Sequence, residues 1–161
     1  MRVYTRIMSR PPRKFDLLTC ARIGSTCSLF NLRKAARVVT QIYDEVFKDS
    51  GIRGTQFALL AGIYWSGTAT LTELGKLLAM DRTTLTRNFG PLRKRGLIGS
   101  VRVADRRARA VALTPRGHAA LAKALPYWAK AQKRVVSGLG EKQWRRLMAG
   151  LAATVRLGAV G

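Results

Sequence analysis

Between Asp81 and Lys94 the chain sets a distinctive group of side chains at helical spacing. Leu85, Phe89 and Leu92 fall at i, i+4 and i+7, which gives the segment one apolar side. At 100° per residue the opposite side carries Thr83, Thr86, Arg87, Gly90 and Lys94, flanked by Arg82, Thr84 and Asn88. Asp81 stands before the first turn, where a carboxylate caps free amides and suits the positive end of the helix dipole. Beyond that cap the outer face has no acid, whereas an ordinary solvated face mixes Glu with Lys. Arg grips guanine edges bidentately, Asn grips adenine, and Thr reaches a phosphate or a thymine methyl. Gly90 leaves room for close approach. The chemistry these residues can do is recognition of duplex DNA; the plainer alternative is a helical hairpin with a basic solvated face.

The elements around this segment must position it. Thr70 followed by Glu73 forms a capping box. Leu71, Leu74, Leu77 and Leu78 then turn one side of a short helix inward. After a break at Ala79-Met80 the Asp81 helix begins, so the pair reads as helix-turn-helix with the second helix entering the major groove. Gly96 ends that helix. Leu97 to Val103 and Arg109 to Leu113 read as two strands joined by the turn Ala104 to Ala108. The hairpin places Asp105, Arg106, Arg107 and Arg109 at or beside its tip, where arginines suit phosphates or the narrow minor groove. Asp105 is a poor DNA contact and is better suited to orient Arg107. Helix-turn-helix plus such a hairpin is a winged helix.

LTELGKLLAMDRTTLTRNFGPLRKRGLI followed by DRRARAVALTPRGHAAL resembles the MarR family, the multiple-antibiotic-resistance type of bacterial transcriptional regulator. The match includes D-R-T-T-L-T-R (Asp81 to Arg87), the D-x-R pair Asp105 and Arg107, and L-T-x-x-G at Leu113, Thr114 and Gly117. It covers about Leu29 to Leu157. One departure is Arg53-Gly54, where family members often have Thr or Ser near the start of the second helix. The resemblance implies a homodimer with intertwined first and last helices, binding palindromic operators.

Length and composition agree. At 161 residues and 47% apolar content the chain can bury a core as one domain. Its net charge of +22 points to a polyanionic partner. The expected fold is mainly α with a small β-wing, an α+β winged helix-turn-helix. Residues 1–26 form a basic N-terminal tail or arm, with Met1 to Lys14 flexible and Met8 an alternative start. Residues 27–50 and 119–161 supply dimerisation helices, and 51–118 the DNA-binding region. A helix from Ser28 to Lys48 lines up Leu29, Leu32, Ala36, Val39, Tyr43 and Val46. Phe57 to Trp65 is apolar nearly all round and is expected in the core. Thr114-Pro115 restarts a helix running to about Val136, bent near Pro126. Ser137 to Gly140 turns, and Glu141 opens a last helix with Trp144, Leu147, Met148, Leu151 and Val155 on one face. These end helices offer more apolar surface than one winged helix can cover, so dimerisation follows.

For enzymatic chemistry the sequence offers nothing. His118 sits at a helix start, and Asp44 and Glu45 are adjacent on a helix and diverge. No metal-ligand spacing, phosphate loop or nucleophile elbow occurs, so no catalytic residue, metal or cofactor is expected. No segment has the length of a membrane helix, which predicts a cytoplasmic, nucleoid-associated protein without a membrane partner. The resemblance also implies a cleft for a small aromatic or phenolic ligand. Arg37, Tyr43, Phe57, Trp65 and Trp128 are its candidate lining, although core packing alone accounts for the aromatics. Cys20 and Cys27 raise a redox-sensing alternative, against which stands inert packing. The leading function is a dimeric, sequence-specific DNA-binding regulator acting as a repressor at a palindromic operator. The competing one is a nonspecific nucleoid-type or RNA-binding basic protein.

Overall fold

The computed structural model describes residues 16–102 and 109–158. The chain divides into two compact units, Met1–Val39 and Thr40–Gly161. In the first, α1 (Leu17–Thr26) opens under the Asp16 carboxylate, which accepts the Thr19 amide at 2.7 Å. Within the stretch read as a tail or arm, residues 17–26 are thus helical. α2 (Ser28–Val46) starts directly after Cys27, and the Asn31 side chain ties it back to the Gly24 carbonyl. The basic segment Met1 to Lys14, with Met8, lies outside the described residues.

In the second unit α2 ends at Val46, two residues before the expected Lys48, because the chain turns at once through 47–50. Ser50 holds that turn: its buried hydroxyl donates to the Ile52 carbonyl and accepts the Ile52 amide. α3 (Gly54–Ser66) follows, with the Arg53 amide bound by Gln56 Oε1 at 3.1 Å. This resolves the Arg53-Gly54 departure. Gln56 at N3 reaches back to the N-cap amide, the half of a capping box that needs no hydroxyl at the helix start, and Gly54 is needed because a Cβ there would stand 2.9 Å from Tyr43 Cβ.

Phe57, Leu59, Leu60 and Ile63 of α3 are buried, but Tyr64 and Trp65 are 61% and 84% exposed. The expectation of burial through Trp65 was too broad, because α3 is covered on the side of Phe57, Leu60 and Ile63 and leaves the core at its last turn. A strand the sequence reading missed, β1 (Ala69–Thr70), comes next, too short to show any alternation. α4 (Leu71–Leu78) carries the expected capping box, with Thr70 and Glu73 binding each other's amides. Leu74 is fully buried and Leu71 and Leu78 half-buried, whereas Leu77 is 48% exposed. At 100° per residue Leu77 falls on the far side of Leu74 from the other two, so it misses the arc that faces the core.

α5 (Arg82–Lys94) packs Leu85, Phe89 and Leu92 fully into the core, as its spacing predicts. Gly96, at φ +66°, ends it with the Leu97 amide donating to the Leu92 carbonyl at 2.9 Å. β2 (Ile98–Arg102) begins one residue later than expected, and β3 (Arg109–Leu113) keeps its predicted bounds. The antiparallel sheet has the order β1-β3-β2, with Ile98 opposite Leu113 and Thr70 opposite Ala110. β1 thus joins the start of the helix-turn-helix directly to the wing.

α6 (Pro115–Leu139) is longer than predicted and runs unbroken through Pro126. The expected turn at Ser137 to Gly140 contracts to Gly140 alone, where φ +77° stops the helix. Gly138 meets no steric demand and stays helical. α7 (Glu141–Leu157) packs against α6 but buries no residue fully. The core is one cluster centred on Leu60, Ile63, Leu74, Leu85, Phe89 and Leu92, joined by Val111 of the sheet and Ala124 and Ala131 of α6.

Candidate nucleic-acid interface

The reading helix is fixed at both ends by an acid cap, backbone carbonyls and a hydroxyl, with Arg95 just past its last turn the one basic side chain that takes part. At its N-terminus Asp81 Oδ1 accepts the Thr84 amide at 2.8 Å and Oδ2 the Thr84 hydroxyl at 2.6 Å. These bonds, side chain first, hold the Asp81 carboxyl below the usual carboxylate range. The preceding turn is three residues long. Ala79 adopts a left-handed conformation at φ 49°, and the Met80 amide closes on the Gly75 carbonyl at 2.9 Å. Gly75 is required there, since a Cβ would stand 2.9 Å from the Met80 carbonyl oxygen.

At its C-terminus the helix is clamped to the wing and to α6. The Thr114 amide donates to the Leu97 carbonyl at 3.1 Å and its hydroxyl to the Gly96 carbonyl at 2.6 Å. Arg95 makes a further attachment, donating to the Gly51 carbonyl at 2.7 Å and to Gln56 Oε1 at 3.4 Å.

Arg82, Thr83, Thr86, Arg87, Gly90 and Lys94 are all exposed. Two of the hydroxyls on or beside this face have local partners. Thr84 is half-buried in the Asp81 cap, and Thr86 donates to the Arg82 carbonyl at 2.8 Å. Asn88 is also half-buried, with Nδ2 3.9 Å from Met80 Sδ. The groups left to project from the face are therefore Arg82, Thr83, Arg87 and Lys94. Of the wing residues, Arg109 opens β3, while Asp105, Arg106 and Arg107 lie outside the described residues.

Of the candidate effector residues the structure brings three together. Tyr43, Phe57 and Trp128 belong to an aromatic cluster whose centre, Phe47, the sequence reading passed over. Phe47 stacks on Tyr43 at 6.1 Å and meets Phe57 edge-on at 5.5 Å, and Phe57 stacks on Trp128 at 6.3 Å. The Tyr43 hydroxyl donates to Gln132 Oε1 at 2.6 Å, and burial pushes its pKa up. Trp65 stands exposed at the end of α3, and Arg37 is exposed within the first unit.

An open cleft of about 1010 Å³ lies beside this cluster and shares Phe47 with it, between α5 and the 47–53 turn. Phe47, Ile52 and Leu59 form its apolar floor, and Lys48, Arg53, Arg87 and Arg95 line it with Asp44 as the sole acid. Lys48, Arg53 and Arg95 were not among the expected DNA contacts, because isolated basic residues near a turn carry no periodic signal.

Cys20 is exposed, which departs from the buried packing expected of it, and Cys27 is half-buried. Cys27 Sγ accepts the Phe30 amide at 3.5 Å where α1 meets α2. His118 is exposed in the first turn of α6, its ring edge-on to Tyr64 at 5.6 Å. Among the described residues no group of three or more His, Cys, Asp or Glu could hold a metal ion, and no helix is long and apolar enough to cross a membrane.

Comparison with protein-family models and with curated proteins gave no match. Solved structures do match. The Mycobacterium tuberculosis transcriptional regulator MosR in complex with DNA is 36% identical, covers 83% of this chain and 96% of its own, and superposes with a TM-score of 0.74. BpsR of Bordetella bronchiseptica, whose DNA binding is regulated by 6-hydroxynicotinic acid, is 26% identical over 76% of this chain and 94% of its own, with a TM-score of 0.67. A mutant MarR from E. coli complexed with operator DNA shares the fold at 21% identity, over 87% of this chain and 99% of its own, with a TM-score of 0.72. The likeness to MosR spans nearly that whole chain, and the helix-turn-helix, wing and flanking helices occur in the expected order. On these grounds the chain belongs to the MarR family of winged-helix transcriptional regulators, which are not enzymes.

Proposed function

We propose that this chain is a homodimeric, sequence-specific DNA-binding repressor that places α5 in the major groove of each half of a palindromic operator. The observation that carries the reading is the α5 outer face. Arg82, Thr83, Arg87 and Lys94 project from a helix whose position is set by other groups, and no acid follows the Asp81 cap. Arg87, Arg82 and Thr83 read base edges, Lys94 meets phosphate, and Thr84, Thr86 and Asn88 support the helix or touch its borders. Arg106, Arg107 and Arg109 of the wing contact the minor groove, with Asp105 orienting Arg107. The DNA complex of MosR supports this assignment by similarity.

Dimerisation follows from uncovered apolar surface. Leu147 and Met148 of α7 are each 39% exposed and Val155 61%, which is costly for a lone chain. The end helices, 27–50 and 119–161, close over one another in the dimer, and 51–118 binds DNA. The protein then works in the cytoplasm, on the nucleoid. A small aromatic acid as releasing ligand is supported by the dependence of BpsR on 6-hydroxynicotinic acid.

Selection of bound fragments from random DNA, with sedimentation of the free protein, tests the reading. The expected result is a dimer and an inverted repeat with half-sites ~10 base pairs apart. A monomer at micromolar concentration, or equal affinity for selected and scrambled DNA at about 150 mM salt, refutes it.

A further inference from the structure

Three stripes run along α5. At 100° per residue from Leu85, the buried stripe with Phe89 and Leu92 lies near 0°, and the reading face from Thr86 to Arg87 spans about 100–200°. The third stripe, about 200–300°, holds Arg87, Asn88, Pro91 and Arg95, and these four residues form one wall of the 1010 Å³ cleft. The cleft is therefore the flank of the reading helix, and Arg87 is shared between the two. Its opposite wall supplies Lys48 and Arg53 from the 47–53 turn. Among the described residues no carboxylate forms an ion pair with any of these cations, since the ion pairs found join Arg134 to Glu45 and Arg145 to Glu141. Asp44 offsets one charge of the four.

A helix is about 10–12 Å across with its side chains and the major groove about 12 Å wide, so a helix lying in the groove brings its flanks against the bordering sugar-phosphate strands. We infer that the cleft beside α5 is a seat for the phosphates of one such strand, with Lys48 and Arg53 as its contacts from outside the helix-turn-helix. Arg95 is a positioning residue here. Its hydrogen bonds to Gly51 and Gln56 hold the turn carrying Lys48 and Arg53 at a fixed distance from α5. The seat carries no base information, so it sets register and affinity while the neighbouring face sets preference. This inference rests on the proposal that α5 reads DNA.

The test is the Lys48→Gln/Arg53→Gln double variant of the full chain, checked for an unchanged unfolding midpoint. Its affinity for the selected operator and for random DNA is measured from about 50 to 300 mM salt, with phosphate-ethylation interference on both strands. The expected result is an equal loss on both DNAs and a salt dependence shallower by about two in log–log slope per half-site. Interference should also vanish at phosphates bordering one side of each half-site. The Lys48→Arg/Arg53→Lys variant should restore the slope. An unchanged slope overturns the inference. So does a slope that is unchanged while inorganic phosphate raises the wild-type unfolding midpoint but not that of the double variant, because the cleft then takes a free anion. If the slope falls as expected but wild type never distinguishes operator from random DNA, the seat stands and the base-reading proposal fails.

Discussion

Gly117→Ala should be among the most damaging single substitutions in this chain, although it adds one methyl group. Gly117 is buried in the first turn of α6, and a Cβ built there lies 1.9 Å from the Leu97 carbonyl oxygen and 3.0 Å from its carbon. A carbon and an oxygen tolerate about 3.3 Å, so α6 and the strand start would have to separate by about 1.4 Å. That shift opens the Thr114 amide bond to Leu97 and the Thr114 hydroxyl bond to Gly96, now at 3.1 and 2.6 Å. Two hydrogen bonds at about 1 kcal/mol each, with about 1–3 kcal/mol for overpacking, give a loss of about 3–5 kcal/mol. Against a typical stability of about 5–15 kcal/mol this approaches unfolding at growth temperature. Urea unfolding at matched protein concentration measures it. A loss below about 1 kcal/mol would mean that α6 slides freely on the wing, and the account of L-T-x-x-G as strand end, cap and close approach would be wrong.

Gly90→Ala should change stability little. Apart from its chain neighbours a Cβ there meets nothing within 4 Å, but Pro91 follows and disfavours the helical conformation for a residue with a Cβ. That offsets the usual gain of about 0.5–1 kcal/mol from replacing a helix-interior glycine, and operator affinity should fall, read by paired urea and binding titrations. Arg87→Ala should cost about 1–3 kcal/mol on the specific site and relax base preference there, with a smaller loss on random DNA, measured by competition binding. Acid should weaken the helix starts. Hydrogen bonds from Thr70 and Thr84 hold the Glu73 and Asp81 carboxyls below their ordinary values, so their contribution is full above those values and disappears as pH falls through the depressed ones. The urea midpoint of wild type should therefore drop from about pH 5 to pH 2 more than that of Glu73→Gln/Asp81→Asn.

The parts of the fold legible in the sequence are those where one physical signal dominates. Capping boxes, the Leu85-Phe89-Leu92 stripe and the Gly96 and Pro115 boundaries each act within a few residues, and the structure follows them. Pairing partners were not legible. β1 is two residues long and exists because Val111 and Ala110 of β3 are there to bond, which no local pattern records. Burial at helix ends was overestimated for Trp65 and Leu77 for the same reason, since periodicity gives a direction and not the extent of what covers it. The basic cleft was invisible because Lys48 and Arg53 lie on an aperiodic turn and Arg95 more than forty residues further along the chain.

The distribution of charge separates what holds this protein together from what it presents. Both ion pairs found among the described residues are exposed and lie outside α5, and such pairs contribute about 0–1 kcal/mol each. Around α5 the attachments run from an aspartate cap, backbone carbonyls, a threonine hydroxyl and apolar burial, with Arg95 the one basic side chain that takes part. Arg82, Arg87 and Lys94 are thus presented without an ion pair to any carboxylate among the described residues. Along the helix they stand about 7.5 and 10.5 Å apart, near the screening length of physiological salt, so their mutual repulsion costs the free protein little. Because none of the three is used to hold the helix in place, all three are available to phosphates and base edges, and the acid-free outer face of α5 marks the interface more sharply than the total of +22 does.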